Sequence, residues 1–208
     1  MFHDLKKRLK KWAKNNTIIN GLHGLFKDYF SARRCKFGNC SDDCNIIPPL
    51  YVDTPHNLFL LGNNVLNHAT IINRNAKFVM MQNSVAAYGL TVVTGNHVMK
   101  IGRNFCSITE DEKPKGYDKD VIVEEDVWIG CNVTLLSGVI IGRGSTVAAG
   151  AVVTKSFPPY SLIGGCPARH IKFKWTIDEI LEHERILYPE HKRITRERLE
   201  EIFDTYIN

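Results

Sequence analysis

Between Val121 and Ser156 the sequence repeats with a period of six, and no other property of the 208-residue chain restricts its fold as tightly. The hexads begin at Val123, Ile129, Leu135, Ile141, Val147 and Val153, so their first position is always aliphatic. The fifth position is small or apolar (Val127, Val133, Val139, Ser145, Ala151, Phe157), and the fourth is Asp126, Asn132, Gly138, Gly144 and Gly150 in the first five. A helix would need apolar residues every three or four positions, whereas Val127 and Ile129 flank Trp128 in the alternation of a strand. Asp, Asn and Gly best tolerate a left-handed backbone, so each can turn a sharp corner. Each hexad therefore reads as a very short strand plus a corner. Three such sides close a triangular coil, in which residues eighteen apart, such as Val123 and Ile141 or Ile129 and Val147, stack along the axis. One coil cannot bury its inner face, so several must stack into a parallel β-helix.

A chain of this length can hold one sizeable domain with appendages. Its hydrophobic (44%) and charged (24%) content is that of an ordinary soluble globular protein. The net charge of +5 is local, because Lys6, Lys7, Arg8, Lys10, Lys11 and Lys14 against Asp4 account for it within the first fourteen residues. The rest is near neutral, which argues against a nucleic-acid-binding body. No apolar run is long enough to span a bilayer, and the N-terminus lacks the apolar core of a signal peptide, so a cytoplasmic protein is expected. Of the six cysteines, Cys35, Cys40 and Cys44 lie close together while Cys106, Cys131 and Cys166 are scattered. Neither set has paired zinc-site spacing, so reduced thiols and no metal are expected.

Three sections follow: a helical or irregular segment over 1–50, a β-helix over 51–156, and a tail with capping helices over 157–208. Phe2, Leu5, Leu9 and Trp12 give residues 2–15 the pattern of an amphipathic helix with a lysine-rich face. It can pack on the protein, or lie peripherally on an anionic membrane such as the inner membrane face. Residues 16–50 are ambiguous, with a helical stripe at Leu22, Leu25, Phe26 and Tyr29 ended by Pro48 and Pro49. From Leu58 the corners return in a worn form at Asn64, Asn75, Asn83, Gly89 and Gly95. The spacing slips once between Leu66 and Met80, where a bulge or irregular coil is expected. A further coil is expected from Ile101 to Phe105, then a projecting polar loop over about 107–120. Phe157-Pro158-Pro159-Tyr160 should leave the coil and run outside it. Thr176 and Glu179 have capping-box spacing and should start a helix to about Leu187. A second helix, from about Thr195 to Tyr206, has Leu199, Ile202 and Phe203 as its apolar face.

The hexads, together with V-T-G-N-H at 93–97, D-V-W-I-G at 126–130, A-A-G-A-V-V-T-K at 148–155 and G-G-C-P-A-R at 164–169, resemble the hexapeptide-repeat acyltransferases. The likeness covers about residues 45–175 and points to the galactoside, maltose and polysaccharide O-acetyltransferase branch. It implies an all-β solenoid, a left-handed parallel β-helix with helices at either end, a homotrimer, and acetyl-coenzyme A bound in clefts between subunits. It also implies roles for particular residues. Trp128 would line the pantetheine arm, and the backbone N–H of Cys131 would hold the thioester carbonyl or the pantetheine. The family usually has a small hydroxyl residue at the position of Cys131. Ala148, Ala149 and Gly150 would let the cofactor approach the backbone closely. Thr154, Lys155, Arg169 and Lys172 would meet the phosphates. Asn67 and His68 fall in the part that contacts the acceptor.

Acyl transfer from a thioester to a hydroxyl needs a base for the hydroxyl proton and a donor for the oxyanion. Histidine suits the first role. His97, just beyond Gly95-Asn96 at the mouth of the loop, is the expected base, serving direct attack on the thioester rather than a Cys131 intermediate. His3, His23, His56, His170, His183 and His191 have no comparable setting. A zinc hydratase on such a coil would need further histidines beside His97, and residues 98–169 have none. The expected function is acetyl-CoA-dependent O-acetylation of a sugar or polysaccharide precursor. A xenobiotic (antibiotic) acetyltransferase and a non-catalytic β-helix scaffold are the alternatives.

Overall fold

The computed structural model describes residues 34–207, with Trp12 and residues 16–19 and 21–22 ahead of them. Apart from Trp12, the expected basic helix over 2–15 lies outside the described residues, as does most of the stripe at 22–29.

Among the described residues, seventeen short strands wind into a three-sided prism. Face A carries β1 (Asn39–Cys40), β4 (Leu58–Leu60), β7 (Phe78–Met80), β10 (Val121–Val123) and β13 (Ile140–Ile141). Face B carries β2 (Asn45–Ile47), β5 (Val65–Asn67), β8 (Val85–Ala86), β11 (Trp128–Ile129), β14 (Thr146–Val147), β16 (Ser161–Gly165) and β17 (Ala168–Phe173). Face C carries β3 (Tyr51–Val52), β6 (Thr70–Ile72), β9 (Thr91–Val93), β12 (Thr134–Leu135) and β15 (Val152–Val153). The chain visits A, B and C in turn, so every ladder is parallel except the final β16–β17 hairpin.

The hexad pattern maps directly onto this prism. Val123 pairs with Ile141 and Ile129 with Val147, eighteen residues on. The first and fifth positions of all six hexads are at most 3% exposed and fill the axis. Each fully buried Val, Leu or Ile there contributes roughly 1.5–3 kcal/mol. The fourth positions turn the corners with positive φ, from 54° at Asn132 to 81° at Gly138.

The solenoid extends beyond its regular repeat at both ends. It begins at β1, within the segment expected to be helical or irregular, because β1 and β2 stack on β4 and β5 with steps of twenty residues. Asn63 rather than Asn64 takes the left-handed turn in that part. Asn64 is buried, accepting from Gly62 N–H and donating to the Met81 and Ser84 carbonyls, so it ties one coil to the next. At the other end the prolines do not expel the chain. Phe157 bridges Ile141 inside the core, and Pro158-Pro159 turn a corner against Gly142, where a Cβ would stand 2.3 Å from Pro159 N. A corner needs no ladder N–H, so proline is tolerated there and β16 resumes face B.

One other expectation is corrected and one is narrowed. Residues 101–105 form no coil. Ile101 is fully exposed, and the ladder passes from β7, β8 and β9 straight to β10, β11 and β12, so the insertion runs from Gly95 to Asp120. The slip between Leu66 and Met80 is the irregular coil of the two alternatives expected, and not a bulge. Strand registers continue unbroken, and one residue is lost at the corner after β5 and regained before β7.

Helices α1 (Ile177–Leu187) and α2 (Arg196–Ile207) cover the C-terminal end. The Thr176/Glu179 capping box forms in both directions. Ile180 and Leu199 pack with Tyr160, while Tyr206 packs against the solenoid core. Glu184, 1% exposed on its side chain, accepts from the Tyr160 hydroxyl at 2.6 Å and pairs with Arg143 at 3.1 Å, linking cap to coil. Burial, with the adjacent carboxylate, drives the Tyr160 phenol well above its ordinary range, so it stays a donor.

Candidate active site

The expected site residues separate onto two parts of the prism. On face B the outward side chains of Val65, Val85, Trp128, Thr146, Leu162 and Lys172 lie in register, one per strand. Trp128 is 58% exposed, a large apolar surface without a neighbour to cover it among the described residues. Three ladder steps of about 4.8 Å separate it from Lys172, a span of about 14 Å. Arg169, in the same hairpin opposite Gly164, is exposed. Neither Arg169 nor Lys172 has an ion-pair partner among the described residues.

Beside this face, the corner between B and C is lined with small residues. Cys131, Ala149 and Gly150 are exposed and Ala148 is half-buried. Gly130 lies so close to the next coil that a Cβ would stand 2.7 Å from Ala149 N, while the space off Gly150 is open. Gly150 N–H donates to the Cys131 carbonyl, and Asn132 N–H to the Tyr88 carbonyl. The N–H groups of Cys131 and Ala149 meet no acceptor among the described residues. The corner therefore offers a shallow track with unused backbone donors, which fits an extended ligand bearing carbonyl groups. Asn67 and His68 occupy the same corner, nearer the N-terminal end.

His97 is elsewhere. It leaves β9 at the corner between C and A, opposite face B. The base of its loop is held tightly. Asp118, 6% exposed on its side chain, accepts from Asn75 at 2.8 Å, from Asn96 N–H at 3.0 Å and from Lys113 at 3.1 Å. Ser137 donates to the Thr94 carbonyl at 2.7 Å, and Tyr117 donates to the His97 carbonyl at 3.3 Å. Burial opposes the charge on Asp118, but these hydrogen bonds overcome it and keep the carboxyl below the usual carboxylate range. Further out, Glu112 accepts from Arg103 and Lys100 at 2.6 Å each, which brings its carboxyl down to about 2. His97 is exposed, with its ring centre 6.3 Å from that of Phe105 and the two planes at 66°. Thr154 and Lys155 share its corner, two coils further along.

One chain thus holds a candidate base at one vertex and a candidate donor track on the opposite face. Sequence reasoning did not single out Asp118 or Ser137. The available signal was positional, since Asp118 stands where the repeat resumes and must close the insertion.

This three-sided solenoid, with glycine-lined corners and a projecting loop, defines a hexapeptide-repeat protein. Residues 120–155 match the model of the bacterial transferase hexapeptide (six repeats). A probable macrolide acetyltransferase of Lysinibacillus sphaericus is 30% identical over 140 residues, covering 67% of this chain and 76% of the relative. The galactoside O-acetyltransferase of Lactococcus lactis is 30% identical over 139 residues, but the match takes in only 60% of its length and 63% of this chain. A hexapeptide-repeat acetyltransferase of Vibrio cholerae, solved with acetyl coenzyme A, superposes with a TM-score of 0.56 at 24% identity, covering 82% of this chain and 85% of that one. The chain belongs to the hexapeptide-repeat acyltransferase family, whose left-handed parallel β-helix it shares. Among the described residues no helix is long and apolar enough to cross a membrane, and no three His, Cys, Asp or Glu side chains converge as metal ligands.

Proposed function

We propose that the protein is an acetyl-CoA-dependent O-acetyltransferase that works as a homotrimer and acetylates a hydroxyl of a sugar or polysaccharide precursor. The observation that carries this reading is the division of the site. His97 and the Trp128/Gly150 track cannot meet within one prism, whereas prisms packed side by side bring the C/A corner of one copy against face B of the next. Rotation about an axis parallel to the solenoid preserves height, so three identical grooves would form.

In such a groove acetyl-CoA runs along Trp128 and the Ala148-Ala149-Gly150 corner. Its phosphates lie toward Thr154, Lys155, Arg169 and Lys172. His97 takes the proton of the acceptor hydroxyl as that oxygen attacks the thioester carbonyl. The Cys131 N–H donates to the oxyanion, coenzyme A leaves as the thiol, and His97 returns the proton to the thiolate sulfur. The galactoside relative supports a sugar hydroxyl as acceptor. The Lysinibacillus relative favours a second reading, transfer to a hydroxyl of an antibiotic.

The test is an acceptor screen with acetyl-CoA, following thiol release across galactosides, maltose, amino sugars, serine, a macrolide and chloramphenicol. The proposal expects the highest kcat/KM with a sugar hydroxyl. Preferential release with an amine would overturn O-acetylation, and preference for the macrolide would establish the second reading.

A further inference from the structure

The loop from Gly95 to Asp120 carries as many basic as acidic side chains, but its ion pairs sort them unevenly. Lys100, Arg103 and Lys113 are taken up by Glu112, Glu110 and Asp118 at 2.6–3.1 Å. Asp120 accepts from the Lys77 backbone N–H at 2.7 Å, at the start of β7. Lys115 and Lys119 are left exposed, with no ion-pair partner among the described residues. Both line one cleft of about 410 Å³, together with Asn96, Tyr117 and Ser137. Asp111, the remaining acid, lines a different cleft beside Glu110 and Asp118. A loop that is neutral as a whole therefore presents a positive cleft next to His97.

Both lysines stand on fixed backbone. Lys115 is the second residue of a tight turn closed from Tyr117 N–H to the Pro114 carbonyl at 3.1 Å, with Gly116 at φ 77° as the third. The Tyr117 hydroxyl donates to the His97 carbonyl, so this turn is pinned to the backbone of the proposed base. Lys119 N–H meets the Thr94 carbonyl and the Ser137 hydroxyl, each at 3.1 Å. Its stem packs over Gly138, where a Cβ would stand 3.1 Å from Lys119 Cδ. Less ordering entropy is lost when a ligand meets cations already held in this way.

The height of the cleft says which substrate it serves. Asn96 follows β9, and Ser137 belongs to the coil of β10, β11 and β12, which also carries Cys131. The cleft is thus level with the reacting end of the proposed groove. The pantetheine arm keeps the coenzyme A phosphates away from the thioester, toward the β16–β17 hairpin three ladder steps beyond Trp128. An anion in the cleft therefore belongs to the acceptor. Two ammonium groups around one small cleft suit a phosphate, which carries roughly −1.5 to −2 at neutral pH, better than a singly charged carboxylate.

Resting on the acetyltransferase reading above, we infer that the acceptor is a phosphorylated sugar, whose phosphate lies between Lys115 and Lys119 while His97 takes the proton of a hydroxyl on its ring.

The test compares galactose 1-phosphate and UDP-galactose with methyl β-galactopyranoside and galacturonate as acceptors, in wild type, Lys115→Ala, Lys119→Ala and the double variant. In wild type kcat/KM should be about a hundredfold higher for a phosphorylated sugar than for the neutral glycoside. This ratio should fall about tenfold in each single variant and vanish in the double one. Rising salt should lower it as well. Preference for either phosphorylated probe upholds the inference, and the better of the two tells a monophosphate from a diphosphate. Binding is read separately by calorimetry without acetyl-CoA, where the better probe should bind wild type about a hundredfold more tightly than the double variant. Such binding without acetyl transfer would sink the acetyltransferase reading and leave the phosphate cleft standing. Equal transfer to the neutral glycoside, with no phosphate-dependent binding, would sink the inference and leave that reading standing. Preference for galacturonate would overturn it too, as would a weaker acetyl-CoA Kd in either single variant, because the lysines would then serve the donor.

Discussion

At the scale of single residues, glycines at one corner divide into packing and access. Gly130 is hemmed in by backbone, so Gly130→Ala should cost about 1–3 kcal/mol of stability through overpacking, read as a lower denaturant midpoint. Gly150 faces open space at φ 72°, a conformation asparagine accepts. Gly150→Asn should therefore leave the melting temperature nearly unchanged while raising the acetyl-CoA KM about tenfold, or about 1.4 kcal/mol. A stable variant with unaltered KM would remove this corner from the donor track. For the proposed base, His97→Ala should cut kcat by about 10²–10⁴ while acetyl-CoA still binds with the same Kd in calorimetry. Persistent turnover would require another base.

Among the elements, the loop from Gly95 to Asp120 depends on buried polar interactions, because its apolar side chains Met99, Ile101 and Phe105 are exposed. Asp118 has a carboxyl pKa held below its unfolded value. Its contribution is therefore complete above about pH 4 and is lost as pH falls through the folded value. Hydrogen exchange over residues 95–120, corrected for intrinsic rate, should accelerate on acidification before that of the core strands. Asp118→Asn should show the faster exchange already at neutral pH. If loop and strands respond together in the wild type, Asp118 is not the fastening.

The regular coils were legible in the sequence because six hexads place identical demands on one face and one corner. The earlier coils were less legible, since steps of twenty residues blur a period of six and buried Asn64 looks like a corner residue. The false coil at Ile101-Gly102 shows the limit of local pattern. A corner-forming Gly102 at φ 77° does not make a coil where no neighbouring strand is left to pair with. The role of Asp118 was hidden because its partners Asn75, Asn96 and Lys113 are joined only by closure of the loop.

For the whole molecule, the proposed chemistry requires a site divided between copies. If three chains assemble, light scattering should give three times the 23.7 kDa chain mass. Mass alone does not locate the groove, so complementation is the direct measurement. His97→Ala and Trp128→Ala, each inactive or nearly so alone, are co-expressed with different tags and the mixed oligomers isolated. A groove with its base from one copy and its donor track from the next should be intact at one site of every isolated mixed trimer, restoring about a third of wild-type turnover. Mixed oligomers with no more activity than either parent would contradict a divided site, because both halves would then belong to one chain.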